Sequence, residues 1–180
     1  MRRAIYVSGI LLLISFLLVI ADDFHQDWKR LQARFTGIAE NRFHSTSDAG
    51  LNFNPGIAQI NVPGLSHIDR CTTCHLGIDD PKYRNAEPPF QTHPGTLLET
   101  HKSKDFGCTA CHLGQGFAVS FGKAAHRKLE YWNETMLPRP LIQASCGTCH
   151  RSEEVPEADI LTQGRLLIKE KGCNGCHDIS

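Results

Sequence analysis

The chain has 180 residues, which is enough for one domain or for one domain with a membrane anchor. Its nineteen acidic and nineteen basic residues balance, so the charge favours neither a nucleic-acid partner nor an acidic substrate. Hydrophobic content is 41%, ordinary for a globular protein, but much of it lies in one N-terminal run.

This run extends from Ala4 to Ala21 (AIYVSGILLLISFLLVIA) and carries no charge. As a helix it would be about 27 Å long, close to the thickness of a bilayer's hydrocarbon core. Two arginines precede it and two aspartates follow it, so the positive-inside rule keeps the N-terminus cytoplasmic and exports the remainder. We expect an inner-membrane anchor over residues 1–21. A signal peptide is the alternative, since Val19 and Ala21 are small enough for a cleavage site.

The next segment, residues 22–66, is predicted to hold an amphipathic juxtamembrane helix and a connector. Apolar residues recur at alternating steps of four and three, which is one face of a helix. This face would pack on the rest of the protein, or it would form a stalk or partner helix at the membrane surface. Residues 44–66 are rich in Gly, Pro, Asn and Ser and are typical of an irregular connector. The apolar residues are Phe24, Trp28, Leu31, Phe35 and Ile38.

The eight cysteines form four C-x-x-C pairs, and a histidine follows each pair directly. C-x-x-C-H is the attachment sequence for c-type haem. Its two thiols form thioethers with the porphyrin vinyl groups, and its imidazole binds the iron from below. The sequence therefore predicts four covalently attached haem c groups. The motifs are Cys71, Cys74 and His75 (motif one); Cys108, Cys111 and His112 (motif two); Cys146, Cys149 and His150 (motif three); and Cys173, Cys176 and His177 (motif four).

Other uses of eight cysteines explain this pattern less well. Structural disulfides suit an exported chain but do not require a histidine after every second cysteine. A tetrahedral zinc site needs two pairs or added ligands, and a histidine beside the cysteine is not part of its spacing. A thioredoxin-like active site needs one pair in a βαβ setting.

The spacing of the motifs also bears on the fold. They begin at residues 71, 108, 146 and 173, and segments shorter than about 40 residues rarely form a core without metals or cross-links. We therefore expect the haems themselves to be the core of a tetrahaem cytochrome c domain over residues 67–180. The predicted fold class is mostly α and irregular, with little or no β. One helix is predicted within ADILTQGRLLIKEKG, capped by Gly172 and leading directly into Cys173.

The distal ligands decide the chemistry, because a six-coordinate iron passes electrons only, whereas an open position would admit a substrate. Histidines outside the motifs and one internal methionine are the candidates. His25 and His44 are less favoured, because both lie in or near the juxtamembrane helix. The candidate distal ligands are His93, His101, His126, His67 and Met136.

Five segments together resemble a family of multihaem c-type cytochromes of bacterial respiratory chains. The resemblance covers about residues 68–177. It implies an exported, often membrane-attached protein that moves electrons between quinol-linked membrane complexes and periplasmic or extracellular partners. His93, His101 and His126 match the histidines that recur between motifs in that family. The segments are DRCTTCHLGIDDP, PPFQTHPGTLLETH, FGCTACHLGQG, LIQASCGTCH and GRLLIKEKGCNGCH.

The leading functional hypothesis is a membrane-anchored tetrahaem electron-transfer protein without bond-making chemistry of its own. Its partners would be a membrane respiratory complex or other cytochromes, with no nucleic acid. A quinol-oxidising subunit is one alternative, with Asp22, Asp23 and His25 placed to take protons. A multihaem reductase for nitrite or hydroxylamine, with one open haem, is another.

Motif four resembles the opening of a monohaem cytochrome c domain. We expect the sixth ligand of its haem to come from upstream, with Met136 or a spare histidine favoured, or from a partner chain in a complex or oligomer. A longer cytochrome of which this chain is the front part is the third option. In the first two cases, haem four is the expected electron exit.

Overall fold

The computed structural model describes residues 2–43, 54–151 and 154–177. The described chain is mostly helical with little strand, as predicted. The α-helices are α1 (Arg2–Phe24), α2 (Asp27–Phe43), α3 (Leu97–Thr100), α4 (Ser103–Phe106), α5 (Thr109–His112) and α6 (Asp159–Glu170). The strands are β1 (Ile60–Val62) and β2 (His67–Asp69). The 3-10 helices cover Pro63–Leu65, Cys71–Thr73, Pro81–Tyr83, Arg139–Thr148 and Cys173–Gly175.

Helix α1 is long and apolar enough to be a membrane anchor or a signal sequence. None of its described residues is buried against the protein. A helix that is apolar on all sides and unburied by protein is typical of a segment whose solvent is lipid.

Two compact units make up the chain by Cα packing. Unit 1 comprises Met1–Gln59, Arg70–Gly95 and Val119–Phe121, and unit 2 comprises Ile60–Asp69, Thr96–Ala118 and Gly122–Ser180. Motif one therefore belongs to unit 1, and motifs two, three and four belong to unit 2. The domain boundaries expected at residues 21 and 66 stay predictions.

Unit 1 has a small aromatic core around Phe35 of α2. The Phe35 ring lies 4.9 Å from the Tyr83 ring and 5.4 Å from the Phe90 ring, and all three side chains are fully buried. Leu31 and Ile38, from the predicted apolar face, pack against this cluster. Phe24 does not join them, because it ends α1 and is 72% exposed. The apolar face therefore begins in α2, and it packs against Tyr83 and Phe90 in unit 1.

Unit 2 begins with a hairpin in which Ile60 pairs with Asp69 and Val62 with His67. We predicted an irregular connector up to residue 66, and strand β1 within it is a difference from that prediction. Three residues are too few to show a periodicity of two, which is why no strand was predicted there. The part of the connector at residues 44–53, and with it His44, lies outside the described residues.

Helix α6 follows the prediction closely. It begins at Asp159, ends at Glu170, and is followed by Gly172 in the left-handed conformation with φ of 66°. Glycine adopts this conformation without steric cost, which makes it the usual residue just beyond a helix. The turn at Gly172 delivers the chain directly to Cys173.

Candidate functional site: four C-x-x-C-H turns

The four C-x-x-C-H motifs fold into the same helical turn. In each, the histidine N–H donates to the carbonyl of the first cysteine, and so does the N–H of the second cysteine. The histidine bonds join His75 to Cys71 (3.0 Å), His112 to Cys108 (2.9 Å), His150 to Cys146 (2.9 Å) and His177 to Cys173 (3.0 Å). Residues three and four positions apart share one face of a helical turn. Each motif therefore presents two thiols and one imidazole on the same side.

All eight cysteines lie in the described residues, and none of them forms a disulfide. Free thiols are the state from which thioether bonds to a porphyrin form. The second cysteines of motifs two, three and four are exposed, and the other five are half-buried. The donor set of each turn, two thiols and an imidazole, fits the edge and the iron of a haem c.

Motif one is held by polar residues of α2. The Gln32 side chain, which is only 4% exposed, donates to the carbonyl of Thr73 inside the motif over 3.0 Å. The Thr73 hydroxyl in turn donates to the carbonyl of Ala58 over 2.9 Å. Burial, and secondarily the charge of Asp27, raises the pKa of the Cys74 thiol to about 11. The Cys74 thiol is therefore neutral at physiological pH.

Motif two is held by the carboxylate of Asp69, which is fully buried at the end of β2. Its Oδ2 accepts from the backbone N–H groups of Cys108 and Thr109, each over 2.8 Å, and from the Thr109 hydroxyl over 3.0 Å. Gly107 makes this approach sterically feasible. A Cβ at Gly107 would lie 2.8 Å from the Asp69 Cβ, and its φ of 68° favours glycine.

Motifs two and three are neighbours in unit 2. Helix α5 of motif two packs against the 3-10 helix Arg139–Thr148, which ends in motif three. Partial desolvation raises the pKa of the Cys111 thiol, and the thiols of Cys146, Cys108 and Cys149 raise it further.

Helix α6 connects motif three to motif four. Its Leu161 packs beside Gly147 within motif three, at 3.3 Å from the position that a Cβ there would take. Its Arg165 donates to the carbonyl of His150. Because α6 then runs through Gly172 into Cys173, motif three lies next to both motif two and the helix that leads into motif four.

His101, a predicted distal ligand, lies beside the histidine of motif three. The ring centroids of His101 and His150 are 6.0 Å apart, with their planes 75° from each other. The Phe106 ring packs 5.3 Å from His101 on the chain's next helical turn. The structure thus brings together one predicted distal ligand and one predicted proximal ligand that are far apart in sequence.

His93 lies in unit 1, as motif one does. Its backbone N–H donates to the carbonyl of Ile78, just beyond motif one, over 2.9 Å. Its Nδ1 is 2.8 Å from the carbonyl oxygen of Pro94, which only accepts, so the ring proton is on Nδ1. Its Nε2 therefore carries the lone pair that a metal ligand requires.

His67 has a buried ring nitrogen without a hydrogen-bond partner among the described residues, its Nε2. It lines an open cleft of about 180 Å³ together with Val62, Ile68 and Phe117. Buried polar atoms are nearly always satisfied, so an orphaned Nε2 is an observation that fits an iron ligand. The cleft is smaller than the roughly 300–1,000 Å³ of typical ligand pockets, and does not by itself enclose a porphyrin.

The other two predicted distal ligands lie after motif two in the chain. His126 is exposed. Met136 packs beside motif two: a Cβ at Gly114 would lie 2.8 Å from the Met136 Cγ, and the neighbouring Leu137 N–H donates to the carbonyl of His112 over 2.9 Å. The sixth ligand expected from upstream for motif four stays a prediction.

Several residues that hold the motifs were not predicted from the sequence. They are Gln32, Asp69, Thr100 and Arg165, whose side chains bond to motif residues or to a candidate ligand. The position of Asp69 two residues before motif one gave no sign that it caps motif two. Comparisons with protein-family models, with curated proteins and with solved structures found no match to the chain. The resemblance to multihaem cytochromes therefore stays a prediction from the motifs themselves.

Proposed function

We propose that the chain is a membrane-anchored tetrahaem c-type cytochrome of the multihaem family that the motifs resemble. It would transfer single electrons between a membrane respiratory donor and periplasmic or extracellular acceptors. The observation that carries the proposal is the common helical turn of the four motifs, in which the backbone N–H groups of the second cysteine and of the histidine donate to the carbonyl of the first cysteine four times over.

A bound haem supplies an iron that gains and loses one electron without breaking bonds. The residues of the chain have three tasks around it. The eight motif cysteines would hold the porphyrin edge, and the motif histidines would hold the iron. Gln32 and Asp69 keep motifs one and two in shape, so that little rearrangement accompanies a change in iron charge.

The packing in unit 2 supports transfer between haems. Motif three lies beside motif two, since helix α5 of motif two packs against the 3-10 helix Arg139–Thr148, which ends in motif three. It also contacts α6, the helix that leads into motif four. Haems attached to these three turns would be close neighbours, with haem three between the other two.

The location follows from α1 and the charges around it. A helix long and apolar enough for an anchor, with Arg2 and Arg3 at its N-terminal end, supports a cytoplasmic N-terminus and a haem-bearing part in the periplasm or outside the cell. A membrane respiratory complex or other cytochromes are the proposed partners. A place as a subunit of a larger complex is compatible with this role.

Redox titration with low-temperature EPR on the detergent-purified full-length chain tests this function. Four low-spin ferric signals, each reduced by one electron, are the expected result. A high-spin haem that binds nitrite or hydroxylamine and turns it over would replace the electron-transfer function with that of a reductase.

A further inference from the structure

We propose that His101 and His150 are the two axial ligands of one iron, that of haem three, with His101 binding through Nε2. This inference rests on the proposed function and assigns one distal ligand within it. Both residues lie in unit 2, and their ring centroids are 6.0 Å apart. That separation leaves room for one metal ion between two imidazoles and is longer than direct hydrogen bonding between rings would require.

The Thr100 side chain holds the ring of His101. Its hydroxyl oxygen lies 3.2 Å from the carbonyl oxygen of Leu97, which only accepts, and 3.0 Å from His101 Nδ1. When the hydroxyl proton goes to Leu97, the same oxygen accepts from the Nδ1–H of His101, and this is the tautomer that the proposal requires. The lone pair of His101 is then on Nε2, the nitrogen that this pair of bonds leaves for a metal.

This arrangement is the usual one for a ligating histidine, in which the second ring nitrogen donates to a neighbouring oxygen and fixes the ring. Two further contacts hold the pair. The Phe106 ring packs against His101 at 5.3 Å, and Arg165 of α6 donates to the carbonyl of His150. The competing explanation is an aromatic contact between two histidines that bind nothing in common.

The assignment differs from the one that sequence proximity suggests, because motif two is nearer than motif three to His101 in the chain. Sequence proximity would give His101 to the iron of His112, whereas the fold brings the ring of His101 next to that of His150. The two assignments are separated by removing one haem at a time.

The test uses the full-length chain in detergent, with the variant His101→Ala in three backgrounds. These are the natural sequence, Cys146→Ala/Cys149→Ala without haem three, and Cys108→Ala/Cys111→Ala without haem two. We expect one low-spin EPR signal to become high-spin in the natural sequence and in the chain without haem two. In the chain without haem three, His101→Ala should create no additional high-spin iron. Added imidazole should restore the low-spin signal.

His101→Met keeps a ligand at the same position and covers the case in which His101→Ala does not fold. It should stay low-spin while the midpoint potential of one haem rises, since methionine in place of histidine raises the potential. Lys102→Ala, at the exposed residue next to His101, is the matched control and should leave all signals unchanged.

The assignment is overturned if His101→Ala leaves four low-spin haems, which is the outcome for an aromatic pair only. It is also overturned if the conversion persists without haem three, which would give His101 to another iron. A natural-sequence chain with fewer than four covalent haems would instead count against the proposed function, so the two failures are distinguishable.

Discussion

The carboxylate of Asp69 lies 2.8 Å from the backbone nitrogen of Cys108, the first residue of motif two. A fully buried side chain at the end of a three-residue strand thus fixes a motif far along the chain. The bond makes Asp69 a positioning residue for haem two within the proposed function.

Replacing Asp69 with alanine should destabilise unit 2. The half-buried backbone N–H groups of Cys108 and Thr109 would lose their acceptor, and a hydrogen bond to a charged group contributes roughly 1.5–3 kcal/mol. Chemical denaturation followed by Soret circular dichroism measures the change in the free energy of unfolding. Asp69→Asn retains a carbonyl oxygen that can accept, so its free energy of unfolding should fall less. Asp105→Asn, at an exposed position, is the control. An unfolding free energy equal to that of the natural chain would show that the carboxylate does not hold motif two.

Two glycine-to-alanine substitutions should change the free energy of unfolding in opposite directions. Gly107→Ala places a Cβ against Asp69 at a backbone conformation that essentially only glycine adopts, and should cost about 1–3 kcal/mol. Gly164→Ala lies inside α6, where a Cβ meets nothing within 4 Å, and should stabilise by about 0.5–1 kcal/mol. Thermal unfolding of both variants checks this, and a matching sign for the pair would contradict the described geometry.

The aromatic core of unit 1 predicts a large loss of stability for Phe35→Ala. Removing a fully buried ring that contacts Tyr83 and Phe90 should cost about 3–5 kcal/mol. Phe24→Ala is the matched control, since Phe24 belongs to the same predicted apolar face but is 72% exposed. Equal losses for the two variants, measured by denaturant unfolding, would mean that the face packs as a whole and begins at Phe24.

The raised pKa of Cys74 makes a prediction for the chain prepared without haem attachment. Its thiol loses its proton near pH 11 instead of 9.0, so at pH 8–9 it should react with iodoacetamide more slowly than the exposed Cys176. Because the unfolded thiol ionises first, stability should fall as pH rises from about 9 to 11. Asp27→Asn removes the second cause of the raised Cys74 pKa and should narrow the pH range over which stability falls. Attached haem converts the thiol to a thioether, which does not ionise, so the holoprotein should lack this dependence.

Much of the helical structure was predictable because local sequence patterns indicate it. The uncharged run up to Ala21 predicted α1, the face of Leu31 and Phe35 predicted α2, and Gly172 predicted the end of α6. The break at His25 and Gln26 was missed, because the apolar spacing runs across it from Phe24.

The pairing of residues distant in sequence was not predictable from one chain. His101 and His150 were each predicted to be a ligand from nearby sequence, but the 6.0 Å between their rings depends on how unit 2 folds. Asp69 and Gln32 are ordinary polar residues in sequence, and their roles depend on which backbone groups lie opposite them. Tertiary contacts of this kind leave no periodicity or spacing to detect.

The number of covalent haems per chain tests the central claim most directly. The purified full-length protein should give four haems per chain by pyridine haemochrome absorbance against protein concentration. Each of the double variants Cys71→Ala/Cys74→Ala, Cys108→Ala/Cys111→Ala, Cys146→Ala/Cys149→Ala and Cys173→Ala/Cys176→Ala should give three. Fewer than four haems in the natural chain would contradict the tetrahaem cytochrome.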